Sequence, residues 1–156
     1  MAEHKEHHYT VTCRWNGSTA QGYEVYSRAH DMAAPPAKAA LTLSSDPAFR
    51  GDPALLNPEQ LLVMAASSCQ FLSFLAVAAR KRIDVVEYED QAEGFMPEDD
   101  KPVRITRIVL RPHIVVKGAA DESAVLKAVE TGHEHCFIAN SIKSDVRIEP
   151  KIVIRP

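Results

Sequence analysis

Three cysteines carry most of the chemical interest in this 156-residue chain. Cys69 lies in the middle of the longest apolar stretch, flanked by Ser67, Ser68 and Gln70. Cys136 directly follows His133, Glu134 and His135. Cys13 lies in a segment that alternates as a strand does, and there it reads as a small buried or half-buried hydrophobe. A thiol reacts as its thiolate, so a reactive cysteine needs surroundings that lower its pKa. Arginine is the usual fixed cation for that purpose, because it does not deprotonate. A thiolate oxidised to a sulfenic acid can condense with a second thiol to form a disulfide, which brings the two Cα atoms within about 7 Å. Spacing along the chain leaves open whether Cys69 and Cys136 meet in this way.

His133, His135 and Cys136 offer borderline and soft metal ligands, but the string HEHC has no second spaced Cys or His pair to complete a site. The two histidines therefore read first as members of a polar network, then as residues that shape the Cys136 surroundings. No metal and no cofactor are expected. His30 reads as a hydrogen-bonded loop histidine, and His4, His7 and His8 as solvated groups in a polar, flexible end over residues 1–8.

The formal net charge of −3 and a pI near 6.2 give no bulk attraction for nucleic acid. The first ten residues, MAEHKEHHYT, are charged and lack the apolar core of a signal peptide, so a cytoplasmic location is expected. In that compartment three cysteines read as thiols, and a disulfide as a transient, catalytic one.

The elements that must position these groups emerge from pattern. Residues 57–82 predict one long helix, with Asn57 as cap, Pro58 in the first turn, Glu59 at the positive end of the dipole, and Lys81 and Arg82 at the negative end. At 1.5 Å per residue it is about 35 Å long, and it is apolar on nearly all sides, so other elements or a second subunit must cover it. Its serines, cysteine and glutamine argue against a membrane span. Residues 9–15 and 22–27 predict a hairpin, and 39–44 a third strand. Residues 45–56 form an ordered loop that includes Arg50-Gly51-Asp52. After the long helix come a strand over 83–94, an acidic turn over 95–102, and a long strand over 103–116 with Pro112 at an edge or bulge. A helix over 121–135 has Asp121 at its cap and Ala124, Val125, Ala128 and Val129 as its apolar stripe. Thr131-Gly132 reads as a break, followed by a short helix over 136–142 and a closing strand over 146–154. This order is α+β, with residues 1–156 as a single domain.

Two strings in this order, NPEQLLVMAASSC at 57–69 and HEHCFIANSI at 133–142, with a final V-x-I-x-P strand, resemble the OsmC/Ohr family of thiol-dependent hydroperoxide reductases. SDPAFRGD at 45–52 and YSRAHD at 26–31 are similar to an OsmC-like branch of it. The resemblance covers nearly the whole chain. It implies an α+β intertwined homodimer, with long central helices between two highly curved antiparallel sheets and two equivalent sites at the subunit interface. It implies that Cys69 attacks peroxide, that Cys136 resolves the product as a disulfide, and that Glu59 helps to hold an activating arginine. In the Ohr branch that arginine sits in a turn of the first hairpin. The turn here, NGSTAQG at 16–22, has none. Arg28 is the candidate replacement, with Arg50 and Arg14 behind it. The implied substrate is an organic hydroperoxide, and the implied reductant is a dithiol, either a lipoylated protein or a small thiol. The missing arginine keeps a second reading open: a dimer that binds small apolar or electrophilic ligands, or senses redox state, with the same pocket.

Helix geometry limits these roles. Glu59 and Cys69 are ten residues apart, about 15 Å along a straight helix and roughly 80° apart around it. Leu62, Ala65, Ala66, Leu72 and Ser73 share the Cys69 face more closely, and would make the surroundings suit an organic peroxide.

Overall fold

The computed structural model describes residues 5–156, which form two compact units that divide after Pro58, residues 5–58 and Glu59–Pro156. His4 lies outside the described residues, and His7 and His8 are exposed.

The first unit is an antiparallel sheet of β1 (Thr12–Arg14), β2 (His30–Ala33) and β3 (Ala40–Leu43), in that order. The partner of β1 is therefore residues 30–33, not the expected 22–27, and Cys13 stands opposite Met32. Residues 22–27 alternate in sequence, yet their side chains fold the segment onto itself. Trp15 Nε1 donates to Ser27 O at 2.8 Å, the ring of Tyr26 stands edge-on to those of Trp15 and Tyr23, and the Arg28 guanidinium lies over Tyr26 at 3.9 Å and Tyr23 at 4.7 Å. Cys13 is exposed, which corrects the expectation that it is buried or half-buried. Residues 45–56 are an ordered loop, as expected. Asp46 caps a short 3₁₀ turn, Pro47–Phe49, and Gly51 presses so closely on the Ser45 carbonyl that no side chain fits there.

The second unit contains α1 (Pro58–Arg80), β4 (Asp84–Asp90), β5 (Glu93–Phe95), β6 (Arg107–Leu110), β7 (Pro112–Lys117), α2 (Glu122–Glu134), α3 (Phe137–Ser141), β8 (Asp145–Ile148) and β9 (Lys151–Arg155). Its fold is α+β. The expected strands over 83–94, 103–116 and 146–154 are each broken in two. The pieces are shared between two sheets, ordered β4-β7-β9 and β5-β6-β8. The breaks fall at one level: after Asp90, at Arg111, and after Ile148. Arg111 joins them. Its N–H donates to Asp90 at 2.7 Å, and its guanidinium pairs with Glu93 at 2.5 Å and Glu149 at 3.1 Å. A β-branched run reads as one strand because the bend costs no hydrophobic residue. The outward-turned arginine is the only residue in 107–117 that belongs to neither sheet. Pro112 starts β7 opposite Asp90, rather than sitting inside a strand.

Helix α1 ends in a Schellman arrangement, with Ile83 N donating to Ala78 O and Arg82 N to Ala79 O, and with Arg82 left-handed at φ 56°. It buries Ala66, Gln70, Phe74, Val77 and Ala78, a stripe at helical spacing. Phe74 packs with Ile114 and Val116 of β7 and Val125 and Ala128 of α2, and Ala66 with Ile108 and Leu110 of β6. Phe71 lies against Tyr88 of β4, with ring centroids 4.9 Å apart. By length and composition α1 is apolar enough to cross a membrane, with a mean hydropathy of 1.9, but this stripe makes it the core helix of its unit. Its composition predicts cover on all sides, yet Leu72 is 60 % and Met64 49 % exposed.

Asp121 caps α2 by accepting from Ala124 N at 2.7 Å. The apolar stripe begins at Val125, since Ala124 is exposed, and it includes Gly132, which is buried within α2 and does not break it. A Cβ at Gly132 would lie 2.9 Å from both the N and the Cα of Phe74. The glycine is there for a close helix crossing. Gly132→Ala gains helix propensity of up to about 1 kcal/mol but must push two backbones apart, so a net loss of about 1–2 kcal/mol is expected in urea unfolding. Equal or higher stability in the variant would show that α2 can shift freely.

Candidate functional site

The crossing at Gly132 sets the course of the chain beyond α2. Gln70 of α1 donates through Nε2 to Val129 O at 3.2 Å, so the last two turns of α2 are held against residues 70–74 of α1. The helix stops at His135, whose N–H bonds to Thr131 O, and the chain turns at once into α3. Cys136 occupies that turn. It is 1 % exposed, caps α3, and its sulfur accepts from Ala139 N at 3.5 Å. Asn140 closes the turn by donating to Glu134 O at 3.0 Å.

Cys69 is half-buried beside this turn, and it and Cys136 are hydrogen-bonded to each other. Burial by itself pushes the Cys69 thiol up. It is outweighed by the N–H of Ile138, the Cys136 thiol, the N–H of Phe137 and the Ser73 hydroxyl, which together hold it below its ordinary value. Burial also pushes the Cys136 thiol up. The N–H of Ala139 opposes this, and the hydrogen bond and charge of Cys69 add to it, so Cys136 is held above its ordinary value. The surroundings therefore push the two thiols in opposite directions, Cys69 toward the thiolate and Cys136 toward the protonated thiol. This is the arrangement a nucleophilic thiol with an adjacent second thiol requires.

Glu59, Arg28, Arg50, Arg14, His30, His133 and His135 are not among the groups that interact with either sulfur. Glu59 is half-buried in the first turn of α1, with no hydrogen bond or ion pair among the described residues. Arg28 belongs to the first unit, where it stacks on Tyr23 and Tyr26 and donates to their carbonyls at 2.5 and 2.6 Å. Arg50 pairs with Glu24, and Arg14 is exposed on β1. His30 opens β2 with Nδ1 2.7 Å from Arg28 O, so it is hydrogen-bonded, but in a strand and not a loop. His135 bonds to Thr131 O at 2.8 Å, and His133 has a buried Nδ1 with no partner. Among the described residues no three His, Cys, Asp or Glu side chains converge as metal ligands.

Ser73 lies on the Cys69 face, as the helix spacing predicts, and it bonds to that sulfur. The backbone donors of Phe137 and Ile138 carry no side-chain signal. They are legible only through the capping position of Cys136, because the first N–H groups after a cap are free to point at an anion.

The chain belongs to the OsmC-like protein family, whose model matches residues 51–151. An OsmC-like protein of unknown function from Vibrio cholerae is 29 % identical, with a TM-score of 0.82 over 95 % of this chain and all of that one. The organic hydroperoxide resistance protein OhrB of Bacillus subtilis, 18 % identical, superposes with a TM-score of 0.60 over 94 % of this chain and 98 % of that one. An organic hydroperoxide resistance protein OsmC from Legionella pneumophila, 17 % identical, gives 0.65 over 94 % and 98 %. At those identities the likeness is one of fold. The uncharacterized protein YmaD of Bacillus subtilis is 23 % identical over 96 residues, which span 60 % of this chain and 64 % of that protein.

A lowered pKa means that the thiolate survives to lower pH. In a Cys13→Ser background, alkylation of Cys69 by iodoacetamide is expected to fall off on acidification with a midpoint below that of a free thiol. Ser73→Ala should move this midpoint up, since it removes one donor to the thiolate. A wild-type midpoint at or above the free-thiol value would contradict the assignment.

Proposed function

We propose that this protein reduces organic hydroperoxides through Cys69 and Cys136. The observation that carries the reading is the hydrogen-bonded pair in which one thiol is eased toward the thiolate and the other is kept protonated. The Cys69 thiolate attacks one oxygen of the O–O bond, which breaks. The other oxygen leaves as alkoxide, takes a proton and departs as the alcohol, and Cys69 becomes a sulfenic acid. The Cys136 sulfur then displaces hydroxide from that sulfenic sulfur, its proton completes a water molecule, and the Cys69–Cys136 disulfide forms. A dithiol, on a lipoylated protein or as a small thiol, returns two electrons and two protons and leaves both cysteines reduced. Such a cycle needs a reducing compartment, and a cytoplasmic location is part of the proposal.

The family likeness implies a carboxylate that orients an arginine favouring the thiolate; we assign the first role to Glu59 and the second to Arg28, this chain's candidate for the arginine that its 16–22 turn lacks. Leu62, Ala65 and Leu72 on the Cys69 side of α1 favour an alkyl peroxide over hydrogen peroxide. Exposed apolar residues, Met64 and Leu72 of α1 with Phe137 of α3 at 79 % exposure, support a homodimer in which a second copy covers them.

One equivalent of cumene hydroperoxide should remove both thiols of the Cys13→Ser protein. Cys69→Ser should abolish that loss, and Cys136→Ser should stop at a dimedone-trapped sulfenic acid on Cys69. Thiols untouched by peroxide, with an apolar ligand still bound, would instead favour the ligand-binding or sensing dimer. Light scattering should give a particle of two chains, and Leu72→Asp should shift it toward one; a monomeric wild type would remove the dimer from the proposal.

A further inference from the structure

Where α1 ends and α2 begins, the second unit has an open surface pocket of about 400 Å³ with no part in the thiol chemistry. Lys81 and Arg82 from the end of α1, Lys117 from the end of β7 and Lys127 from α2 all line it. The rest of the wall is Ile83 and three alanines, Ala119, Ala120 and Ala124, and no carboxylate lines it. Elsewhere in the unit Arg104, Arg111, Arg147 and Arg155 are each paired with a carboxylate, Arg107 lies over the Phe95 ring, and Arg80 makes no ion pair among the described residues. None of the four pocket cations has such a partner among the described residues. Two carboxylates are near these cations without pairing with them. Asp121 accepts from Ala124 N, and Asp84, opposite Lys117 across the β4–β7 pair, makes no ion pair with it. In a chain of net charge −3, four unpaired cations around one concavity are a local reversal of sign.

The backbone adds a second observation. Arg82 holds the left-handed position that closes α1, at φ 56°. Glycine is favoured there, and a side chain is disfavoured by contact of its Cβ with the following carbonyl. A charged side chain occupies a position whose geometry favours none, at the rim of a pocket where its charge is unpaired. The simpler account, that Lys81 and Arg82 only complement the dipole of α1, covers neither Lys117 nor Lys127, which belong to other elements.

We propose that this pocket binds a small polyanion, a molecule bearing a phosphate or pyrophosphate group, with the cations on its oxygens and the alanine wall against its apolar part. The volume suits a small metabolite, and lysines and arginine provide the charge-assisted donors that phosphate oxygens accept.

The test uses inorganic pyrophosphate in calorimetric titration at low ionic strength. One site per chain is expected, weakening as salt is added. Lys117→Gln and Lys127→Gln should each weaken binding about tenfold, the loss of one charged hydrogen bond. Arg82→Gly should weaken it similarly while leaving unfolding stability equal or higher, because glycine relieves the left-handed backbone. That combination separates a binding role from a structural one. Peroxide-dependent thiol loss should not change in any of the three. Absence of saturable binding, or variants that bind as tightly as the wild type, would overturn the proposal. So would binding to vesicles of anionic phospholipid with no response to pyrophosphate, which would mean a membrane surface in place of a soluble anion.

Discussion

Gly132 lets the backbone of α2 come against the backbone of α1 at Ser73 and Phe74, and the adjacency of Cys69 and Cys136 depends on that contact. A helix pair separated by ordinary side chains would lie about 8–10 Å apart. With glycine at the crossing the axes can close up, and Gln70 reaches across to the Val129 carbonyl. The chain that leaves α2 is then delivered to the side of α1 where Cys69 lies. Packing alone therefore brings together two sulfurs 67 sequence positions apart (136 − 69).

Once they are adjacent, burial and hydrogen bonding separate their roles. Both thiols lose hydration, and that alone would leave both protonated. The difference is where the free N–H groups point. Two at the start of α3 serve Cys69, with the Ser73 hydroxyl and the Cys136 thiol, whereas Cys136 is opposed by the negative charge that Cys69 develops. The asymmetry needs no metal and no unusual residue. It needs a cap position, a one-turn neighbour on α1 and a buried second thiol.

The two sheets serve this arrangement from behind. They are one three-strand surface folded at a line through Asp90, Arg111 and Glu149, and Arg111 ties the three strands at the fold. Ser67 of α1 donates to Asp90 at that same line, so the bend and the helix that carries Cys69 are anchored together. The bend also separates the two apolar clusters, one under Phe74 and one under Ala66. A long helix can thereby pack along both sheets and leave the Leu72 and Met64 side uncovered.

Much of this is legible in residues alone. Pro58, Glu59 and the apolar run specify α1, Asp121 and its 3–4 spacing specify α2, and the α+β order comes with them, because helix caps and periodicity are local properties of the chain. The two cysteine strings point to the family for the same reason: their contexts are contiguous. Local pattern fails where a residue's role depends on something distant. Gly132 reads as a break because glycine weakens an isolated helix, and only the partner helix shows what it permits. Residues 103–116 read as one strand because Arg111 is disfavoured by nothing nearby. Residues 22–27 read as a strand because their alternation is satisfied instead by Tyr23, Tyr26 and Arg28 stacking on each other. By itself the sequence determined which segments are helices and which thiol contexts are present. The tertiary structure decided that Cys69 and Cys136 lie together and are pushed in opposite directions, because both depend on desolvation and on backbone donors supplied by another part of the chain.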